Sequence, residues 1–233
     1  LPDVGLTVER SLLVSLLKLT GEGPVQKGLV GRAARVPSEV ADGVLRRLSA
    51  LGLIQLTARA VEASPKQRVA IALRAVELGA DPEAVCRALR WMEFEDVVSL
   101  AFEANRFTVR RRFRFKEANR TWEVDVLGLK EPLIVSVDCK HWIRGWRRAA
   151  LTRAVDSQVE RTRALARALP SLRQRLELSG WEQARLVPVV LALAPGPLKF
   201  HDGVPIVPIL QLQDFLNELP AHLTELTQIS TRL

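Results

Sequence analysis

The stretch Glu123-Val124-Asp125-Val126-Leu127-Gly128, followed after a short break by Ile134-Val135-Ser136-Val137-Asp138-Cys139-Lys140, decides the reading of this chain. Both runs are rich in β-branched residues, and the break between them contains Lys130-Glu131-Pro132, so they read as two strands of one tight hairpin. Strand side chains alternate between faces. Asp138 and Lys140 therefore share a side, about 6–7 Å apart along the strand, while Val135, Val137 and Cys139 point to the other side. On the preceding strand Glu123 and Asp125 are expected on one face and Trp122, Val124 and Val126 on the opposite one. An even number of residues in the turn sets Asp125 beside or diagonal to Asp138. Two carboxylates then project together with a lysine next to them.

Working outward, Phe107–Phe115 supplies a further strand before the hairpin, and its strand-like character continues through Arg110, Arg111, Arg112 and Arg114. A helix of about 149–168, closed by Pro170, follows the hairpin. Apolar runs at about 186–193 and 204–210 read as two more strands, and a last helix starts near Leu212. Helix, three-strand meander, helix, strand is an α/β order with a mixed sheet.

The first part of the chain has a helical rhythm. Residues 7–19 place Leu12, Leu13, Leu16, Leu17 and Leu19 along one face, with Thr7 as the expected N-cap. A short helix is expected over about 25–34, and another over 38–51 with Pro37 at its entry and Val40, Val44, Leu45, Leu48 and Leu51 on its buried side. Gly52 stops it and Leu53-Ile54-Gln55-Leu56 continues as a short strand. Helix, short helix, helix and strand resembles the winged-helix family over about residues 7–62. The resemblance implies that the third helix, with Arg46 and Arg47, enters the major groove of DNA and that Arg59 lies on the wing. A small helical dimerisation domain is the alternative. The resulting division is a winged-helix domain at 1–64, a helical linker at 65–91 and a catalytic domain at 92–233.

The chemistry follows from the carboxylate pair. Two acids in a half-buried cleft repel each other unless a cation lies between them. Mg²⁺ (or Mn²⁺) prefers a few carboxylates plus waters and can hold a phosphate oxygen, and a lysine beside it can position a water for attack on phosphorus. Asp125, a turn, then Asp138-x-Lys140 resembles the PD-(D/E)XK motif of restriction endonucleases, Holliday-junction resolvases and Mrr-like nucleases, over about residues 92–216. Val124 stands where the family usually has proline. The resemblance implies a restriction-endonuclease-like α+β core with a central mixed sheet flanked by helices, and a metal-dependent endodeoxyribonuclease. Asp125 and Asp138 would be metal ligands and Lys140 a catalytic residue. It also implies a glutamate ligand on the preceding helix, Glu95 or, two turns later, Glu103, and a polar residue on the following helix, Gln158. Each has a plainer reading: Asp138 and Lys140 as a solvent-facing pair, Glu95 and Gln158 as solvated helix residues. A homodimer, repair or recombination partners, and a role in repair, recombination or restriction are what such a family suggests. A catalytically inactive DNA-binding regulator or repair scaffold, and a nuclease acting on RNA, are the competing readings.

Bulk composition agrees with a polyanion as partner. The chain has a net charge of +8 and a sequence pI near 10.3, which attracts phosphates. Arg110 and Arg112 form one flank of the expected site, and Arg144, Arg147 and Arg148, interleaved with Trp142 and Trp146, form the other. His141 is expected to be structural or phosphate-touching. The two cysteines, Cys86 and Cys139, are far apart, which suggests neither a disulfide framework nor a zinc site. No apolar run is long enough to cross a bilayer and no signal peptide is expected, so an intracellular, cytoplasmic, DNA-associated setting fits best. The chain begins at Leu1, which leaves room for a longer natural start.

Overall fold

The computed structural model describes residues 4–140, 148–193, 196 and 198–233. The chain divides into two compact units, Leu1–Val97 and Val98–Leu233. It is mixed α+β, with a central mixed sheet flanked by helices in the second unit.

In the first unit α1 (Val4–Leu19) is followed by β1 (Val25–Gln26), α2 (Lys27–Ala34), α3 (Ser38–Ala50), β2 (Gln55–Leu56), β3 (Ala60–Glu62), α4 (Pro65–Glu77) and α5 (Pro82–Arg87). α6 (Trp91–Ala104) leads into the second unit. The leucines expected to be apolar in α1 are its core: Leu12, Leu13, Leu16 and Leu17 pack with Val30, Leu45, Leu48 and Val61. α1 begins one turn earlier than expected, so Thr7 lies inside the helix, where its carbonyl accepts the Ser11 hydroxyl. The three small strands pair in the order β1-β3-β2, with Val25 opposite Val61 and Leu56 opposite the same residue.

Residues 65–91 are not a linker. Ile71, Ala72, Ala75, Val85 and Leu89 belong to the same buried cluster as the leucines of α1. A Ser64–Gln67 capping box starts α4, and Gly79 (φ 81°) ends it in the left-handed conformation that glycine adopts without strain. Asp81 caps α5 through the amides of Glu83 and Ala84. Arg68 crosses this core. Its guanidinium is 2% exposed and bonds the Glu93 carboxylate, the carbonyls of Leu17 and Ala88, and the Thr20 hydroxyl.

The second unit is built on β4 (Thr108–Glu117), β5 (Arg120–Lys130), β6 (Leu133–Lys140), α7 (Arg148–Leu172), β7 (Gln183–Ala192), β8 (Phe200–His201), β9 (Val204–Pro208), α8 (Leu212–His222) and β10 (Ile229–Arg232). The sheet order is β4-β5-β6-β7-β9-β8. The first three strands form an antiparallel meander, whereas β6, β7 and β9 run parallel. One edge of β7 serves two partners: its start pairs with β10 and its end with β9. α7 runs through Pro170 rather than stopping there. Proline removes one bond to a carbonyl four residues back, and only two residues of helix follow it.

Close approach fixes the meander beneath α6. A Cβ on Gly128 would lie 2.5 Å from Cδ1 of Phe102, whose ring meets that of Phe107 edge-on at 5.3 Å. No side chain larger than hydrogen fits there.

Candidate active site

α7 lies along the sheet and its buried face has three parts. Near its start Leu151 and Val155 join Val190, Val204 and Ile206. Near its end Ala164, Leu165, Leu169 and Leu172 join Phe113, Phe115, Leu127 and Ile134. Between them the helix presents Gln158 and Thr162, both fully buried. Opposite this polar gap stands β6, with Ser136 fully buried and Asp138 3% exposed.

Buried polar groups must find partners or cost about 1–3 kcal/mol each, and here most do. Gln158 donates through Nε2 to the Ser136 carbonyl at 2.6 Å and to its hydroxyl at 3.2 Å. The Thr162 hydroxyl bonds the Gln158 carbonyl at 2.8 Å. Arg161 donates through Nη1 both to Gln158 Oε1 and to Asp138 Oδ1, the latter at 2.8 Å. Gln158 is thus not a solvated helix residue; it anchors α7 to the backbone of β6. Arg161, one turn further along the same face, was not singled out from sequence. Its i, i+3 spacing from Gln158 is the signal that could have found it.

Asp138 and Lys140 occupy the carboxyl end of β6, beside its parallel neighbour β7, where ligands of parallel sheets commonly bind. Lys140 Nζ lies 2.7 Å from Asp138 Oδ2, with the lysine side chain 31% exposed. That contact is an ion pair without hydrogen-bond alignment, because Oδ2 is buried and receives no hydrogen bond among the described residues. Asp138 and Lys140 are therefore not an exposed pair. The carboxylate is enclosed and the ammonium sits at its rim.

Asp125 meets β6 from the neighbouring strand. Lys130 pairs with Leu133 across a two-residue turn, and the ladder continues to Val126 opposite Val137. One further step sets Asp125 opposite Asp138, where the backbone ladder has ended. Instead, Asp125 Oδ2 accepts the amide of Cys139 at 2.7 Å. On the other side the ladder of β4 and β5 skips the same point: Arg111 pairs with Val126 and Phe113 with Val124, leaving Arg112 across from Asp125. Arg112 is left-handed (φ 46°), a conformation that costs a non-glycine residue about 1 kcal/mol. Trp122 and Val124 then share one core cluster with Leu127 and Leu129, although strict alternation would put them on opposite faces. The expected single alternation along β5 is therefore wrong: the positive φ at Arg112 marks a change of phase centred on Asp125.

Glu95 lies on α6 and is 2% exposed, not a surface charge, whereas Glu103 on the same helix is exposed. Among the described residues no three His, Cys, Asp or Glu side chains are grouped closely enough to hold an ion. Carboxylate oxygens such as those of Asp125 and Asp138 are the donors a hard cation such as Mg²⁺ takes, one or two at a time, completing its shell with water and substrate; here Asp138 Oδ2 faces the Lys140 ammonium at 2.7 Å.

The basic residues divide by partner. Arg46 and Arg59 are exposed, Arg59 in the turn between β2 and β3. Arg47 instead bonds Glu9, a buried carboxylate that Arg74 also holds at 3.1 Å, and so ties α3 to α1 and α4. Arg110 pairs with Glu177 at 2.9 Å and Arg114 with Glu123. Arg112 is exposed, as is Arg148 at the start of α7. Arg144, Arg147, His141, Trp142 and Trp146 lie outside the described residues. No helix among the described residues is long and apolar enough to cross a membrane.

No model of a known protein family matches the chain. A solved structure, protein VC1899 from Vibrio cholerae, aligns with 95% of this chain at a TM-score of 0.41 and 16% identity, and the chain spans about half (53%) of that protein's length. An uncharacterized protein of Archaeoglobus fulgidus is 32% identical over 138 residues, which are 59% of this chain and 97% of that protein. With the archaeal relative matched over nearly its whole length, the chain belongs to the same family as that protein.

Proposed function

We propose that the protein is a metal-dependent endodeoxyribonuclease of the PD-(D/E)XK type. What supports this reading is Lys140 Nζ 2.7 Å from the buried Asp138 Oδ2, beside the end of the β5–β6 ladder, where Asp125 Oδ2 accepts the Cys139 amide. Asp125 and Asp138 would hold Mg²⁺ or Mn²⁺, which when bound neutralises charge on a scissile phosphate. Lys140 is partly exposed, so its ammonium can reach a phosphate oxygen or orient a water while remaining paired with Asp138. Hydrolysis adds that water's oxygen to phosphorus and breaks the bond to the leaving sugar oxygen, which takes up a proton. Gln158 acts as a positioning residue, because it holds the Ser136 backbone two residues before Asp138.

The first unit serves as the DNA anchor in this reading. Its helices α1, α2 and α3 with the β2–β3 hairpin support a winged-helix assignment, in which Arg46 and Arg59 face the duplex. Arg47, 56% exposed, joins them while paired on one side with Glu9.

The test is cleavage of plasmid, flap and four-way-junction DNA with Mg²⁺ or Mn²⁺. Asp138→Ala should abolish cutting while DNA binding persists; equal activity of variant and wild type would defeat the proposal. A second reading has its own support: Asp138 already faces two cations, Arg161 and Lys140, as in a structural ion cluster of a DNA-binding scaffold. Salt-sensitive DNA binding with no metal-dependent cleavage of any of the three substrates would favour it.

A further inference from the structure

We infer that the first unit carries a separate binding site for a small polyanion, in the groove between α1, the end of α2 and the α4–α5 turn. This site is independent of the nuclease reading. The groove encloses about 460 Å³, within the roughly 300–1,000 Å³ typical of small-molecule sites. Three cations line it: Arg10 and Lys18, two turns apart on α1, and Arg35, the left-handed C-cap of α2 (φ 56°). Small residues at its floor and rim, Ala34, Ala80 and Ala84, leave the space open.

Charge accounting identifies the occupant. The acid that lines the groove, Asp81, is already engaged: its two carboxylate oxygens accept the amides of Glu83 and Ala84, each at 3.2 Å. Arg10 makes only long contacts, from Nη1 to the carbonyls of Leu78 (3.5 Å) and Gly79 (3.4 Å). Neither it nor Lys18 nor Arg35 has an ion-pair partner among the described residues. With the Asp81 carboxylate counted, the lining residues carry a net charge of +2 (three cations less one acid), and a ligand bearing two or more negative charges balances it. Arginine forks match the oxygens of phosphate and carboxylate groups. At about 460 Å³ the groove matches a compact molecule in size.

The experiment uses the whole protein with inorganic pyrophosphate as probe, followed by calorimetry and by amide chemical shifts. Saturable binding is expected, with shifts concentrated in α1, α2 and the α4–α5 turn. Arg10→Gln/Lys18→Gln should weaken it by about tenfold or more, and so should Ala84→Glu, which brings a carboxylate into the groove by an independent change. Lys66→Gln/Lys116→Gln, equal in charge lost but at exposed positions away from the groove, should bind as the wild type does. The inference is overturned if pyrophosphate does not saturate, or if the groove variants and the Lys66/Lys116 variant lose affinity equally, which would mark general attraction to a basic protein.

Discussion

Replacing Arg68 by methionine should nearly unfold the first unit while leaving the second intact. Arg68 and Glu93 are 2% and 1% exposed and meet at 2.9 Å. Removing one member of such a pair strands the other charge in the interior, at a cost of about 3–5 kcal/mol. The same guanidinium also satisfies the carbonyls of Leu17 at 2.8 Å and Ala88 at 2.6 Å, which would lose about 1 kcal/mol each. Thr20 keeps its own bond to the Leu16 carbonyl at 2.7 Å and adds little. The sum is about 5–7 kcal/mol, comparable to the whole stability of a small domain. Glu93 would retain one bond, from the Arg90 amide to Oε2 at 2.9 Å, which does not balance its charge. Arg68→Met/Glu93→Leu removes both charges and should recover at least about 2 kcal/mol, since a buried pair is better replaced than broken. Hydrogen exchange followed by mass spectrometry reads the two units separately. Peptides from α1 and α4 should exchange more than a thousandfold faster in Arg68→Met, because each 1.4 kcal/mol is about a factor of ten. Peptides from β6 are the internal control. Acceleration of less than about tenfold, or a double variant as unprotected as the single one, would refute the reasoning.

Other expectations concern the rest of the chain. Gly128→Ala should destabilise the second unit by about 1–3 kcal/mol, through collision of the new methyl group with Phe102; a thermal melt unchanged by the substitution would contradict the packing. The Arg167 guanidinium, bonded to Glu117, holds that partly buried carboxyl below its ordinary range. A lowered folded value means that its stabilisation is present above the unfolded value of about 4.3 and is lost as pH falls through the folded one. The stability difference between wild type and Glu117→Gln should therefore be small at neutral pH and vanish in acid. Burial pushes the Cys86 thiol up to about 12, with the nearby Asp81 charge adding to the effect. Its thiol should resist a thiol reagent at pH 8 until denaturant is added. Because the native state keeps this proton where an unfolded thiol loses it, stability should also decline as pH rises past about 9.

The β5–β6 hairpin was readable because its information is local. Residue type marked β6 to within a residue of Leu133–Lys140, and the two-residue turn set the register that pairs Lys130 with Leu133 and Val126 with Val137. The same holds for α3, α4 and α5, whose starts are written in Pro37, Ser64-Pro65 and Asp81-Pro82. Residues 65–91 were recognisably helical for the same reason. Their membership of the first core was not, since an apolar stripe declares that a helix needs a partner without saying which one.

Periodicity and turn chemistry, encoded within a few neighbouring residues, thus determined the helices and the meander. Folding in three dimensions alone decided what those side chains touch. Gln158 and Arg161 look like ordinary polar positions on a long helix, yet α7 lies over β6 and turns them into partners of Ser136 and Asp138. Arg47 gains an ion pair because α1 presents Glu9 to it, and a left-handed Arg112 on β4 stands across from Asp125, where β5 departs from alternation. The reason is common to all three. A charge or amide acquires its role from groups distant in sequence, and only packing brings those groups within hydrogen-bonding reach.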